Sequence, residues 1–143
     1  MLSFVLNVAA IYIVNKYLIS IIGPTAIGKT ALSIKLAQYF DTEIISADSR
    51  QFFKEMQIGT AAPTEDELTQ AKHHFIHHKS IQDDYNVGAF EKKALQTLDS
   101  LFTTKNVVIM VGGSGLYVDA VTKGLDTFPK ADAKIRTTLN NKY

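Results

Sequence analysis

The sequence predicts an α/β fold, a parallel sheet layered between helices, on three observations. Short apolar runs rich in β-branched residues stand at 17–22, 43–47 and 107–111. Segments with helical periodicity separate them, an alternation that implies right-handed crossovers rather than hairpins. The first and last runs end in Gly-rich turns, the place where open α/β sheets bind ligands.

With 143 residues, 46% hydrophobic and 20% charged, the chain can bury the core of one globular domain. That balance excludes disorder and coiled coil. Fifteen Lys and Arg against fourteen Asp and Glu leave a formal net charge of +1. No global field pulls the chain onto nucleic acid, so any RNA contact is a local patch. Only Arg50 and Arg136 are arginines, which makes each a scarce bidentate group for phosphate. The absence of cysteine excludes disulfides, thiolate metal sites and cysteine nucleophiles, and suits a reducing cytoplasm.

Residues 1–14, MLSFVLNVAAIYIV, are apolar apart from Ser3 and Asn7. They lack the basic start and small-residue cleavage site of a signal peptide, and even joined to 17–22 fall near the lower limit of a span of ~20 residues. We expect residues 1–15 to be a hydrophobic extension, with no membrane role, and residues 16–143 to be the folded domain.

Tyr17 to Ile22 (YLISII), closed by Gly23-Pro24, reads as a buried parallel strand. From Lys29 to Phe40, Ala31, Leu32, Ile34, Leu36, Ala37 and Phe40 fill a broad apolar helix face, and Asp41-Thr42 mark the exit. Glu43 to Ala47 is the second strand and delivers Asp48 at its end. Ser49 to Pro63 shows no sustained period and reads as a functional loop. Thr64 with Glu67 three residues on is a capping box, placing a helix start at Glu65. Phe75 and Ile76 fit a third strand or a turn. Phe90, Ala94, Leu98 and Leu101 recur at three and four, predicting a helix over 89–102. Val107 to Val111 is the clearest strand. It runs into Gly112-Gly113-Ser114-Gly115, after which Leu116, Tyr117, Ala120 and Val121 predict another helix.

Between the first strand and its helix, Gly23, Pro24, Thr25, Ala26, Ile27, Gly28, Lys29 and Thr30 satisfy G-x-x-x-x-G-K-[ST]. Such a loop wraps phosphate in backbone N–H groups, the helix start adds partial positive charge, Lys29 adds a full one, and Thr30 can hold Mg²⁺. The fold expected is therefore a P-loop NTPase-like three-layer α/β/α arrangement. The motif establishes a di- or triphosphate ligand; it does not make that ligand ATP. A nucleotidase would end its best strand in an acidic residue beside Mg²⁺, and here Gly-Gly stands instead. Only Asp48 brings a carboxylate to that rim, as a metal ligand or a general base.

The blocks GPTAIGKT, IISADSRQFFKEMQIGTAAP, HHFI, YNVGAF and VVIMVGGSGLY, in that order, closely resemble the tRNA dimethylallyltransferases, from about Lys16 to Arg136. The resemblance implies transfer of a dimethylallyl group from dimethylallyl diphosphate to N6 of the adenine at position 37 of a tRNA, with Mg²⁺ and release of diphosphate. It implies Asp48 as general base, with Asp48, Ser49, Arg50 and Gln51 contacting the target nucleotide. Ser114 stands where the family more often has threonine, near the reacting adenine, and Arg136 matches an arginine that contacts tRNA. Ala62 stands where many members carry lysine. Phe52 and Phe53 fit a pocket lining or the core. His73, His74, His77 and His78 match a His-His block that holds no metal in the family, and are read as ordering the loop beside the cradle.

The family's chains are longer, adding further strands and a helical insertion that grips the anticodon stem-loop. The chain is therefore expected to be an N-terminal portion with an incomplete sheet, a cytoplasmic monomer that keeps diphosphate affinity while prenyl transfer to tRNA is impaired. An ATP-dependent small-molecule kinase with Asp48 as base, and a nucleotide-binding module without turnover, are the rival readings.

Overall fold

The computed structural model describes residues 15–126 and 133–142; the extension expected at 1–15 lies outside them except for Asn15. In chain order the elements are β1 (Tyr17–Ile22), α1 (Lys29–Tyr39), β2 (Ile44–Ser46), α2 (Glu65–Gln70), β3 (His73–His74), α3 (Val87–Phe102), β4 (Val107–Gly112), α4 (Gly115–Lys123) and α5 (Ala133–Asn140). The four strands form one parallel sheet in the order β1-β4-β2-β3.

The uninterrupted apolar run of β4 places it between β1 and β2, where both faces of the strand are covered. Val108 and Met110 pack with Ile45, Phe90, Ala94 and Leu98 on the α3/α4 side. Ile109 and Val111 pack with Ile34, Ala37 and Ile44 on the α1 side. This alternation builds the three expected layers from one strand.

Three expectations change in detail. β1 is an outer strand rather than a buried one: Tyr17 is 55% and Ile22 56% exposed, because β1 pairs with β4 alone among the described residues. The broad face of α1 narrows to Ser33, Ile34 and Ala37, the stripe that one sheet face can touch, while Leu32 and Phe40 stay substantially exposed. Ser33 tolerates burial because its hydroxyl donates to the Thr30 carbonyl at 2.8 Å. The third strand is the pair His73–His74, in register with Ile44 and Ile45; Phe75, at φ +67°, already turns away.

The helix starts follow local chemistry. Thr64 accepts from the Glu67 N–H at 3.2 Å while the Glu67 carboxylate accepts from the Thr64 N–H at 2.8 Å, completing the capping box. α3 starts at Val87 because Asn86 Oδ1 accepts the Ala89 N–H at 3.0 Å. Among the described residues no helix is long and apolar enough to cross a membrane.

Candidate functional site

The carboxyl ends of β2 and β4 open into a cleft of about 250 Å³ beside the start of α1. Of the two glycines in the turn from β1 to α1, only the second is required by its backbone, since a Cβ at the first would meet just the movable end of a side chain. A Cβ at Gly23 would stand 2.7 Å from Ile27 Cδ1, whereas Gly28 caps α1 in the left-handed region at φ +89°. Ala26 shares that region at φ +67°, a conformation alanine adopts at a cost. α1 has no side-chain cap, so the N–H groups of its first turn are left to the cleft that Lys29, Thr30 and Ala31 line. Lys29 Nζ donates to the Pro24 carbonyl at 2.6 Å and so stays folded against the loop.

Across the cleft stands Asp48, half-buried. Its Oδ1 accepts the Arg50 N–H at 3.1 Å and its carbonyl accepts the Gln51 N–H at 3.0 Å, fixing a tight turn directly after β2. The Gly-Gly that ends β4 makes this approach feasible. A Cβ at Gly112 would fall 2.5 Å from the Ala47 carbonyl oxygen, and one at Gly113 would stand 3.6 Å from Asp48 Oδ2. An acidic residue at Gly112 would therefore collide with the strand that presents Asp48.

Thr25, Ala26, Gly28, Lys29, Thr30, Asp48 and Gln51 line one cleft. Gly23, Pro24 and Ile27 shape the loop without lining it. Ser49 and Ser114 form a separate pair at the rim: the Ser49 N–H donates to Ser114 Oγ at 3.2 Å, and the two hydroxyls lie 3.3 Å apart. Arg50 is exposed beside Asp48, and Arg136 is exposed on α5. Neither lines the cleft.

The cleft also takes in His73, read from the sequence as ordering the loop beside the cradle, and Ser46, Thr60, Glu67 and Ile76, which the sequence reading did not single out as site residues. A serine in the apolar run of β2 was the one available signal. Ser46 donates to Gln51 Oε1 at 3.2 Å, while Gln51 Nε2 donates to the Thr60 carbonyl at 3.2 Å and the Ala61 carbonyl at 3.1 Å. Phe52 belongs to the core, stacked on Phe90 with centroids 5.1 Å apart, and Phe53 packs against that core.

The four histidines spread out. His73 Nδ1–H donates to the Ala71 carbonyl at 2.8 Å, and burial holds its pKa below the ordinary value. His74 pairs with Glu43 at 2.5 Å. The His77 N–H donates to the Gln51 carbonyl at 2.8 Å, tying this segment to the cleft wall. His78 packs among Phe52, Phe75 and Tyr85. Among the described residues no group of three or more His, Cys, Asp or Glu could hold a metal ion.

Known proteins resemble this chain in sequence and in fold. The profile of the IPP transferase family matches residues 51–143. A tRNA dimethylallyltransferase of Christiangramia forsetii is 66% identical over 126 residues, 88% of this chain and 42% of its own length. One from Flavobacterium johnsoniae is 61% identical over 128 residues, 90% of this chain and 41% of its own. The full-length tRNA isopentenylpyrophosphate transferase of Bacillus halodurans superposes with a TM-score of 0.74 at 35% identity, over 90% of this chain and 44% of that one. A eukaryotic dimethylallyltransferase captured acting on tRNA gives 0.75 at 30% identity, over 90% and 33%. The chain thus spans less than half the length of the relatives it matches. With a family profile that covers most of its length and relatives that match nine-tenths of it in sequence and fold, the chain belongs to the IPP transferase family.

Proposed function

We propose that this chain carries the diphosphate-binding and proton-accepting part of a tRNA dimethylallyltransferase, acting on N6 of adenine 37. The observation that supports it is the meeting, in one cleft, of the Lys29–Thr30 helix start with the Asp48 carboxylate. The start of α1 and Lys29 bind the diphosphate of dimethylallyl diphosphate and stabilise the negative charge that grows on it as the C–O bond breaks. The adenine N6 attacks the prenyl carbon, a C–N bond forms, and diphosphate leaves with the bonding electron pair. The N6 proton passes to Asp48, whose turn holds a carboxylate at the rim where the nucleobase enters.

The Thr30 hydroxyl is a hard oxygen donor on the same cleft and would hold Mg²⁺ together with water and phosphate oxygens. Bound there, the ion would neutralise charge on the departing diphosphate. Ser49, Arg50 and Ser114 stand at the rim for the tRNA, with Arg136 a further contact to its phosphates. Transfer to the anticodon stem-loop draws on the parts of the longer relatives that this chain does not span.

Thermal unfolding of the chain with Mg²⁺ tests the reading, because a ligand that binds only the folded state raises the midpoint. Selective stabilisation by dimethylallyl diphosphate supports it. Selective stabilisation by ATP would replace it with a kinase.

A further inference from the structure

Gln51 joins three parts of the cleft through one side chain. Its Nε2 donates to the Thr60 and Ala61 carbonyls and its Oε1 accepts from Ser46, three of the four hydrogen bonds the amide can make. Its backbone adds the bonds to Asp48 and His77. The two carbonyls it holds are consecutive, and the second belongs to Ala61, a non-glycine residue at φ +48°. A left-handed alanine persists only where its surroundings over-determine it. Here the amide of Gln51 does so.

Ala61 and Pro63 line the cleft together with Ile76. They supply apolar surface to the same cleft that Lys29 and Thr30 line. A prenyl diphosphate anchored by its phosphates at the start of α1 extends its hydrocarbon tail along the cleft, where apolar side chains offer burial.

We propose that Gln51 is a positioning residue: it clamps the left-handed turn at Ala61 and so shapes the apolar wall against which the prenyl tail packs. This role rests on the transferase reading above and differs from the contact to the target nucleotide that the family resemblance implies for Gln51. With both of its N–H groups committed, the side chain could donate to a base only by releasing the turn.

Calorimetric titration of the 143-residue chain, with Mg²⁺, compares dimethylallyl diphosphate with inorganic diphosphate, which has no tail. Gln51→Met keeps the length of the side chain and loses all three bonds. It should weaken dimethylallyl diphosphate by about tenfold, the worth of one to two net hydrogen bonds, and inorganic diphosphate by less than about threefold. Adding Ala61→Gly to Gln51→Met should recover most of the loss, since glycine adopts the left-handed turn unaided. A direct base contact could not be rescued in that way.

Equal weakening of both ligands, unchanged affinity for both, or no rescue by Ala61→Gly overturns the proposal. If circular dichroism shows Gln51→Met unfolded, Gln51→Glu decides: its carboxylate keeps the Ser46 bond and repels the two carbonyls, and it should show the same selective loss. Failure of the unsubstituted chain to bind dimethylallyl diphosphate while it binds ATP refutes the transferase reading instead, which separates the two failures.

Discussion

Ser49 and Ser114, 65 positions apart in sequence, face each other with their hydroxyl oxygens 3.3 Å apart, and Ser114 Oγ accepts the Ser49 N–H at 3.2 Å. Ser114 is the N-cap residue of α4, yet its side chain makes no capping bond there. Its oxygen is spent on the turn after β2, so the Asp48 segment and the start of α4 are joined at the rim of the cleft. Ser114→Ala removes the acceptor and leaves a part-buried N–H without its partner, so it should lower stability by about 1 kcal/mol. Ser114→Thr keeps the oxygen and should cost less. Urea denaturation of the two variants against the unsubstituted chain checks the order; an alanine variant as stable as the threonine one would mean that the pair holds nothing together.

Lys29 and Asp48 should act on diphosphate binding with opposite sign. Lys29→Ala removes the full positive charge of the cradle and should weaken inorganic diphosphate by about 10- to 100-fold, the worth of a charge-assisted hydrogen bond. Asp48→Asn removes a negative charge that faces the anion, so without Mg²⁺ it should tighten binding by about threefold. With Mg²⁺ present that gain should shrink, since the ion's own charge offsets the repulsion between the carboxylate and the anion. Titrations in chelator and in Mg²⁺ measure both effects.

The fold's stability is concentrated around one ring. Phe52 is fully buried, stacked on Phe90, and edge-on to Tyr85 and Tyr117, so it joins the turn after β2 to α3 and α4. Phe52→Ala should cost about 3–5 kcal/mol, a large share of what a domain of this size has. Thr64→Ala, which removes the side-chain half of an exposed capping box, should cost only about 1 kcal/mol. The contrast is read as the shift in denaturation midpoint, and similar costs at the two positions would place Phe52 outside the cooperative core.

Elements whose signal is carried by many residues were legible in the sequence. β4 is a continuous apolar run, α3 repeats apolar residues at three and four, and the phosphate loop is a fixed spacing between a strand and a helix. Asp48 was legible as the carboxylate at a strand end. What was not legible depends on neighbours distant in the chain. β3 is two histidines made a strand by pairing with Ile44 and Ile45, and nothing in its composition marks it. The exposure of β1 follows from its outer place in the sheet, which an apolar run of six residues does not reveal. Gln51 sat inside a motif that drew attention to base contacts, while its actual bonds reach carbonyls nine and ten residues further on.

Acid should loosen the far edge of the sheet. Burial resists ionisation of Glu43, but hydrogen bonds from His74 and Lys72 outweigh it and hold the carboxyl below its usual value of 4.5. A carboxyl whose folded pKa is depressed stabilises the fold above the unfolded value, and that contribution is lost as pH falls through the folded one. Glu43→Gln should therefore flatten the acid limb of the stability curve below pH 4.5. An acid limb of unchanged slope would show that the His74–Glu43–Lys72 group adds nothing.

Alkali should act through Tyr85. Its hydroxyl is buried with no hydrogen-bond partner among the described residues, although its ring packs edge-on to Phe52 and His78 and Lys79 lies over it at 5.2 Å. Burial first, and then Tyr117, push its pKa up from 10.0 to about 12. For a group whose folded pKa is raised, the stabilisation is fully present below the unfolded value and is lost as pH climbs through the folded one. The chain should thus lose stability between about pH 10 and about pH 12, as ionisation in the unfolded state draws the equilibrium over. Tyr85→Phe keeps the ring contacts and removes both the ionisable group and the unpaired hydroxyl. At neutral pH it should leave stability equal or raise it by about 1 kcal/mol, and it should reduce the alkaline loss, with the remainder assigned to Tyr117, whose pKa burial also raises. Urea midpoints at pH 7 and across the alkaline range test this, and a Tyr85→Phe variant with a lower midpoint at pH 7 would show that the hydroxyl has a partner after all.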